Sequence, residues 1–421
     1  MSAGDHIGLR GSILNPQSID KCQWIPEGLL VYDRAGQILY CGPNKKIPGL
    51  KYKPLSTPWN SIIIPGLIDC HSHLSQFDAI GQTGFTLMDW LKNHIYPAEV
   101  CLSNKKNAEN ISQRYFQALL STGITFTALY TNFNNGVLAA RRQAEKAGIR
   151  AIVGYTLMDR AVPGSLKQNP VKTIAECRAL SGLFKKNGKE RLHFSLNPRF
   201  APACTPGYLK MIAQLAQKED LYIQTHLSEN LFEVSAVKRA FPMIKSYAEV
   251  YDRFGLLTEK TLLAHCIHLS PAERELIRKR GCGVVHCPSS NLFLHSGRFP
   301  LEHWKYYPKL ALGSDIAAGP SFSMLDVMRD GYYANIQKLS GLFYMATLGG
   351  AKTLGMGGTI GNLKKGKQAD FVVLKTNHTK NASAEDVLSR IIFRSGQVEI
   401  KKVFIAGQKV WSQPYKSDGQ S

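Results

Sequence analysis

Eight short apolar runs recur between residues 60 and 340, most of them separated by helix-like stretches, and they restrict the folds open to this chain. They are Ile62 to Asp69, Ile124 to Tyr130, Arg150 to Tyr155, Leu192 to Leu196, Leu221 to His226, Thr261 to His265, Gly283 to Cys287 and Lys309 to Asp315. Strands that alternate with helices make a parallel sheet, and eight of them predict closure into an α/β, TIM-like (β/α)8 barrel. The β-branched residues of the first run, Ile62-Ile63-Ile64, read as a strand buried on both faces.

The two ends of the chain have another style. Gly28 to Asp33 and Gln37 to Gly42 flank Arg34-Ala35-Gly36, which predicts a hairpin. Gly366 to Leu374 and Val403 to Trp411 are again short strands with Gly turns. We therefore expect one small β-sandwich domain made jointly by residues 1–60 and 355–421, around a barrel domain of residues 61–354. The polar tail from Ser412 is expected to fray.

Composition excludes several classes. With 421 residues, 44% hydrophobic and 20% charged, the chain has the balance of a soluble globular protein with more than one domain. No segment reaches the roughly 18 apolar residues of a membrane span. The start, Met-Ser-Ala-Gly-Asp-His, shows no secretory pattern. Nine scattered Cys without a C-x-x-C pair predict reduced thiols and a cytoplasmic location. A net charge of +21 could serve nucleic acid or anionic membranes. The basic residues are spread along the chain, however, and runs such as Lys185-Lys186 and Lys364-Lys365 are short. A basic surface that serves solubility is expected, with neither nucleic acid nor membrane as partner.

Polar chemistry collects at strand ends. His71 and His73, Arg199, His226 and Glu229, His265 and Asp315 each lie at or just after the C-terminal end of a predicted strand, where such barrels build active sites. Two residues apart on a strand, His71 and His73 point to one side. With His226 and Asp315 they can bind one divalent ion, and three imidazoles with a carboxylate suit zinc, or iron in the same site. No thiolate is offered, which argues for a catalytic site that keeps a water position. Such an ion lowers the pKa of bound water from about 15.7 towards 7. Glu229, three residues after His226, is placed to act as general acid and base. His265 could stabilise charge on a tetrahedral intermediate, or be a core histidine satisfied by a backbone carbonyl. Gln76, Arg199 and Phe200 have the chemistry to hold a planar heterocycle through amide, guanidinium and ring. Arg199 could equally be a structural ion-pair partner and Phe200 a core residue. Of the twelve His, His6, His94, His303 and His378 lie off the pattern, and His193 inside a strand reads as packed.

Pro65-Gly66-Leu67-Ile68-Asp69-Cys70-His71-Ser72-His73 resembles the metal-binding opening of the amidohydrolase superfamily, with Cys70 where Thr is commoner. Further stretches resemble, in order, the guanine deaminase family. They are Asp89-Trp90-Leu91, Tyr96-Pro97-Ala98-Glu99, Pro198-Arg199-Phe200, His226-Leu227-Ser228-Glu229-Asn230 and Tyr251-Asp252 with Leu256-Leu257-Thr258. His286-Cys287-Pro288-Ser289-Ser290-Asn291, Gly313-Ser314-Asp315, Ser323-Met324-Leu325-Asp326 and Ala346-Thr347-Leu348-Gly349-Gly350 continue the series. The resemblance implies zinc-dependent hydrolytic deamination of guanine to xanthine and ammonia, with one Zn2+ per subunit, in a homodimer. It implies catalytic roles for Glu229, His265 and Asp315, and purine contacts from Gln76, Arg199, Phe200, His226 and Glu229. Cys266-Ile267-His268 departs from the family's usual Gly-Cys-Tyr beside His265. Two other readings stand beside this one: hydrolysis of another aminated heterocycle, such as 8-oxoguanine or a triazine, and a barrel without catalysis. The intact polar set argues against the latter.

Overall fold

The computed structural model describes residues 6–58, 60–83, 87–186, 191–376 and 381–414. The end of the polar tail and His378 lie outside the described residues. Five strands open the chain: β1 (His6–Ser18), β2 (Lys21–Asp33), β3 (Ile38–Pro43), β4 (Lys53–Leu55) and β5 (Ser61–Pro65). Eight follow in a second sheet: β6 (Leu67–His73), β7 (Ile124–Thr131), β8 (Arg150–Leu157), β9 (Leu192–Pro198), β10 (Tyr222–Leu227), β11 (Thr261–His265), β12 (Gly283–His286) and β13 (Leu310–Leu312). The last three, β14 (Phe371–Lys375), β15 (Glu399–Ile405) and β16 (Gln408–Ser412), return to the first sheet.

The second sheet runs β6 to β13 in chain order, all parallel. It closes where β13 meets β6: Asp315 N donates to the His71 carbonyl at 2.8 Å, and His73 N to that of Ile316 at 3.1 Å. The approach at this seam needs Gly313, whose missing Cβ would sit 3.1 Å from the backbone nitrogen of His71. The barrel expected from the eight runs is therefore present. Its floor is plugged by the inward residues Ile68, Phe126, Ile152, Leu262 and Val285 with Leu354 and Ile360 from the following segment.

The first sheet has the order β16-β15-β14-β5-β1-β2-β3, with β4 beside β1. The two layers expected at the chain ends are thus one continuous mixed sheet, curled over a small core that includes Leu9, Leu30, Ile63, Phe371 and Phe404. Its two ends meet, with Ala369 N, just before β14, donating to the Gly36 carbonyl in the β2–β3 turn at 2.7 Å. One expectation needs correcting. The run Ile62 to Asp69 is not one barrel strand: Pro65-Gly66 divides it, and β5 pairs with β14 and β1 of the terminal sheet. Proline ends a ladder readily because it has no N–H to donate. A buried ion pair ties the two sheets together, Arg150 Nε to Asp370 Oδ2 at 2.6 Å.

Candidate active site

Strand alternation alone would not assemble the polar mouth of this barrel. On β6, Ile68 and Cys70 face the interior, whereas Ser72 faces outward and accepts from Tyr115 of the surrounding helix at 2.9 Å. The pairing of β6 with β7 slips between Asp69 and Ser72, and this bulge returns His71 and His73 to the inner side. Asp69 braces the bulge by accepting from His71 N at 3.2 Å and Ser314 N at 2.9 Å. On β11, His265 has the parity of Leu263, which packs outward. Left-handed backbone at His265 (φ 69°) and Cys266 (φ 53°) turns the imidazole inward. His226 follows Tyr222 and Gln224 inward on β10 without such help.

Four ligand atoms converge. His73 Nε2 lies 3.3 Å from His71 Nε2 and 3.3 Å from His226 Nε2. Asp315 Oδ1 is 3.2 Å from both His71 Nε2 and His73 Nε2. Spacings of this size suit atoms about 2.0–2.1 Å from one ion, and all four ligand atoms lie within 4.8 Å of one another. His226 Nδ1 meets the Arg199 carbonyl at 2.6 Å, so that nitrogen carries the proton and Nε2 offers a lone pair. Burial lowers His71 to about 4 and His226 well below its ordinary value, so both are neutral ligands at pH 7. Burial works against the charge on Asp315, but the two imidazole contacts hold its carboxyl well below the usual range. Lone pairs and a carboxylate crowded together in this way are a cation's donor set, and the residues fit zinc. A thiol does lie beside the site: Cys287 Sγ joins His71, His265 and Asp315 in a second cluster with ligand atoms within 4.8 Å of one another. Burial pushes that thiol well up, so it stays protonated and is a poor ligand.

The groups expected to handle protons sit beside this cluster. His265 Nε2 lies 3.7 Å from Glu229 Oε2 and 3.7 Å from Asp315 Oδ2. Burial opposes a charge on His265, yet the carboxylates of Glu229 and Asp315 push its pKa up. Its Nδ1 meets Asn291 Oδ1 at 3.0 Å rather than a backbone carbonyl. A cavity of about 910 Å³ opens over the cluster, lined by His73, Gln76, Arg199, Phe200, Glu229 and Asp315 among others. Arg199 uses Nη1 on Glu99, 2.6 and 2.7 Å from its two oxygens. Gln76 Nε2 also donates to Glu99, at 3.0 Å, and its Oε1 accepts from Ala317 N at 3.1 Å. The ion-pair reading of Arg199 therefore holds, and the same residue lines the cavity.

Comparison with known proteins agrees with this geometry. The family model described as amidohydrolase family matches residues 62–410. The guanine deaminase of Escherichia coli (strain K12) is 32% identical over 404 residues, 90% of either chain. That of Homo sapiens is 34% identical over 379 residues, 83% of either chain. The chain belongs to the amidohydrolase family, among its guanine deaminases. The solved structure of the E. coli enzyme superposes with a TM-score of 0.88 at 29% identity, over 97% of this chain and all of that one. A guanine deaminase from C. acetobutylicum, solved with bound guanine in the active site, gives 0.87 at 28% identity over the same shares.

Within this family frame, two groups escaped the reading of the sequence. Glu99 is wholly buried and organises Arg199 and Gln76, yet in sequence it is one acid in a helical stretch. Its signal was present in Tyr96-Pro97-Ala98-Glu99, a stretch that matched the family without an assigned task. Tyr130 stacks on His73 at 4.5 Å and meets His71 edge-on at 5.1 Å, walling the cluster from β7. Only its parity with Phe126 and Ala128 pointed inward.

Proposed function

We propose that this protein deaminates guanine hydrolytically to xanthine and ammonia with one zinc ion per subunit, held by His71, His73, His226 and Asp315. The observation that carries the reading is the convergence of these four donors beside Glu229, under a cavity that also holds Arg199, Gln76 and Phe200. Zinc bound there supplies a water whose pKa falls from about 15.7 towards 7. Phe200 stacks on the purine ring, and Arg199, kept in place by Glu99, turns its remaining N–H groups to acceptors on the ring. Gln76, fixed at both ends of its amide, shapes the wall beside it. Glu229 takes a proton from the attacking water and returns it to the amino group at C2, which leaves as ammonia. His265 stabilises the oxygen as it adds to C2, and Asp315, whose Oδ2 faces His265, takes the remaining proton from that oxygen, which passes to ring N3 as the C2 carbonyl of xanthine forms. The reading includes catalysis by a barrel domain that begins with β6 and runs to about residue 354, a homodimer and a cytoplasmic location. No helix among the described residues is long and apolar enough to cross a membrane.

The test is ammonia release from guanine beside 8-oxoguanine, adenine and an aminotriazine, before and after chelation and zinc repletion. Fastest turnover of guanine that follows the zinc is expected; preference for another heterocycle would move the protein to a sister activity. Glu229→Gln should keep metal and fold while kcat falls by about 10²–10⁴. A rate near the wild type would remove Glu229 from the proton path.

A further inference from the structure

The segment after β12 touches both proton-handling groups, and nothing in the reaction as described gives it a task. Ser296 is buried, and its Oγ donates to Glu229 Oε1 at 3.0 Å. Its backbone N donates to the Asn291 carbonyl at 3.0 Å, and the side chain of the same Asn291 holds His265. From the other side, His268 Nε2 donates to the Ser296 carbonyl at 2.8 Å. Gly297 lets the two approach: its φ of 125° suits glycine, and a Cβ there would lie 3.3 Å from the His268 ring. His268 is also where the chain departs from the family's usual residue.

We propose that Ser296 is a positioning residue for Glu229, and that His268 locks Ser296 in place. The geometry gives the two oxygens of Glu229 separate tasks. Oε1 is occupied by the Ser296 hydroxyl, while Oε2 faces His265 and the cluster. With one oxygen anchored, the carboxyl plane is set, and the other is aimed where a water proton must be taken up. The backbone bond from Glu229 N to Glu233 Oε2, at 2.8 Å, fixes the main chain but leaves the carboxyl free to turn. The terminal torsion of a glutamate is broad, so without the hydroxyl the productive orientation is one of many. The inference rests on the proposed deaminase reading for its kinetic consequence only; the orientation itself is independent of substrate.

Ser296→Ala, as the zinc-loaded full-length protein, tests it in two ways. A hydrogen bond to a charged group is worth about ten- to hundredfold in rate when lost from a reacting geometry. The variant should therefore lose about ten- to hundredfold in kcat with KM within roughly twofold, because the hydroxyl, although it lines the cavity, is engaged by Glu229. Ser296→Thr, which keeps the hydroxyl, should restore most of the rate. His268→Ala should lower kcat in the same sense but less, and it carries the test if Ser296→Ala does not fold. In a crystal structure of Ser296→Ala the Glu229 carboxyl should be turned away from its wild-type plane. An unchanged kcat, a proportional rise in KM, or an unmoved carboxyl would overturn the proposal. If the wild type releases no ammonia from guanine, the deaminase reading fails by itself. The position of the carboxyl in the variant structure still decides the role of Ser296.

Discussion

At the floor of the barrel, Ile68, Phe126, Ile152, Leu262 and Val285 turn inward by plain strand alternation, and each is almost wholly buried. At the mouth that rule is broken. A register slip reverses the parity of β6 before His71, left-handed backbone turns His265, and Asp315 itself has φ 50°. Left-handed backbone at a non-glycine residue costs of order 1–3 kcal/mol, so a mouth built this way cannot be what stabilises the barrel. It also concentrates buried charge: Asp69, whose carboxyl burial pushes up to about 7, and Glu233, raised to about 7 by burial and then by the charge of Glu229. The floor supplies packing free energy, and the mouth spends part of it to aim polar atoms at one point.

The difference between the two ends can be broken from either side. The largest effect is expected at the mouth. Asp315→Asn removes the one carboxylate of the proposed four-ligand set, and metal catalysis supplies several kcal/mol, so kcat should fall by about a thousandfold or more. Zinc content by elemental analysis should fall with it, while the far-UV spectrum stays that of a folded protein. At the floor the reverse is expected. Leu262→Ala opens a cavity among fully packed neighbours and should cost about 2–5 kcal/mol in urea unfolding, with zinc content unchanged and kcat within roughly twofold. Should Leu262→Ala cripple kcat as Asp315→Asn does, or Asp315→Asn unfold the chain, floor and mouth would not be separate and the comparison would fail.

How far the sequence disclosed this division follows from the same contrast. The floor was legible because period-two alternation of apolar residues is a local signal, and β7 to β12 lie close to the runs that announced them. The candidate ligands could be picked out because each sits at a strand end, which topology brings to one rim, but turning His71, His73 and Asp315 inward takes the slip in β6 and left-handed backbone that no periodicity signals. What stayed hidden needed a break in periodicity or a partner far along the chain. The division of Ile62 to Asp69 between two sheets depends on β14, some three hundred residues later, which claims Ile62 to Ile64 by pairing. Glu99 acquires its meaning from Arg199, one hundred residues away. Cys287 was passed over because its alternation marks it as core, which it also is.

The smallest effect separates environment from chemistry. Arg298 and Glu302 form an ion pair of the same kinds of side chain as Arg199 and Glu99, at 2.9 Å against 2.6 Å. The first pair is 59% and 50% exposed, the second 5% and 1%. An exposed pair is screened by water and salt and loses side-chain entropy on forming, so its worth is about 0.2–1 kcal/mol. Glu302→Ala should therefore shift the urea midpoint barely above error, and that small shift should vanish in molar salt, where the Debye length is only about 3 Å. The buried pair has no such escape, since removing Glu99 would leave the Arg199 charge uncompensated in a dry wall. A loss above about 1 kcal/mol from Glu302→Ala, persistent in salt, would mean that contact geometry rather than burial ranks the ion pairs of this protein. The account of the mouth as the place where charge is expensive would then need another cause.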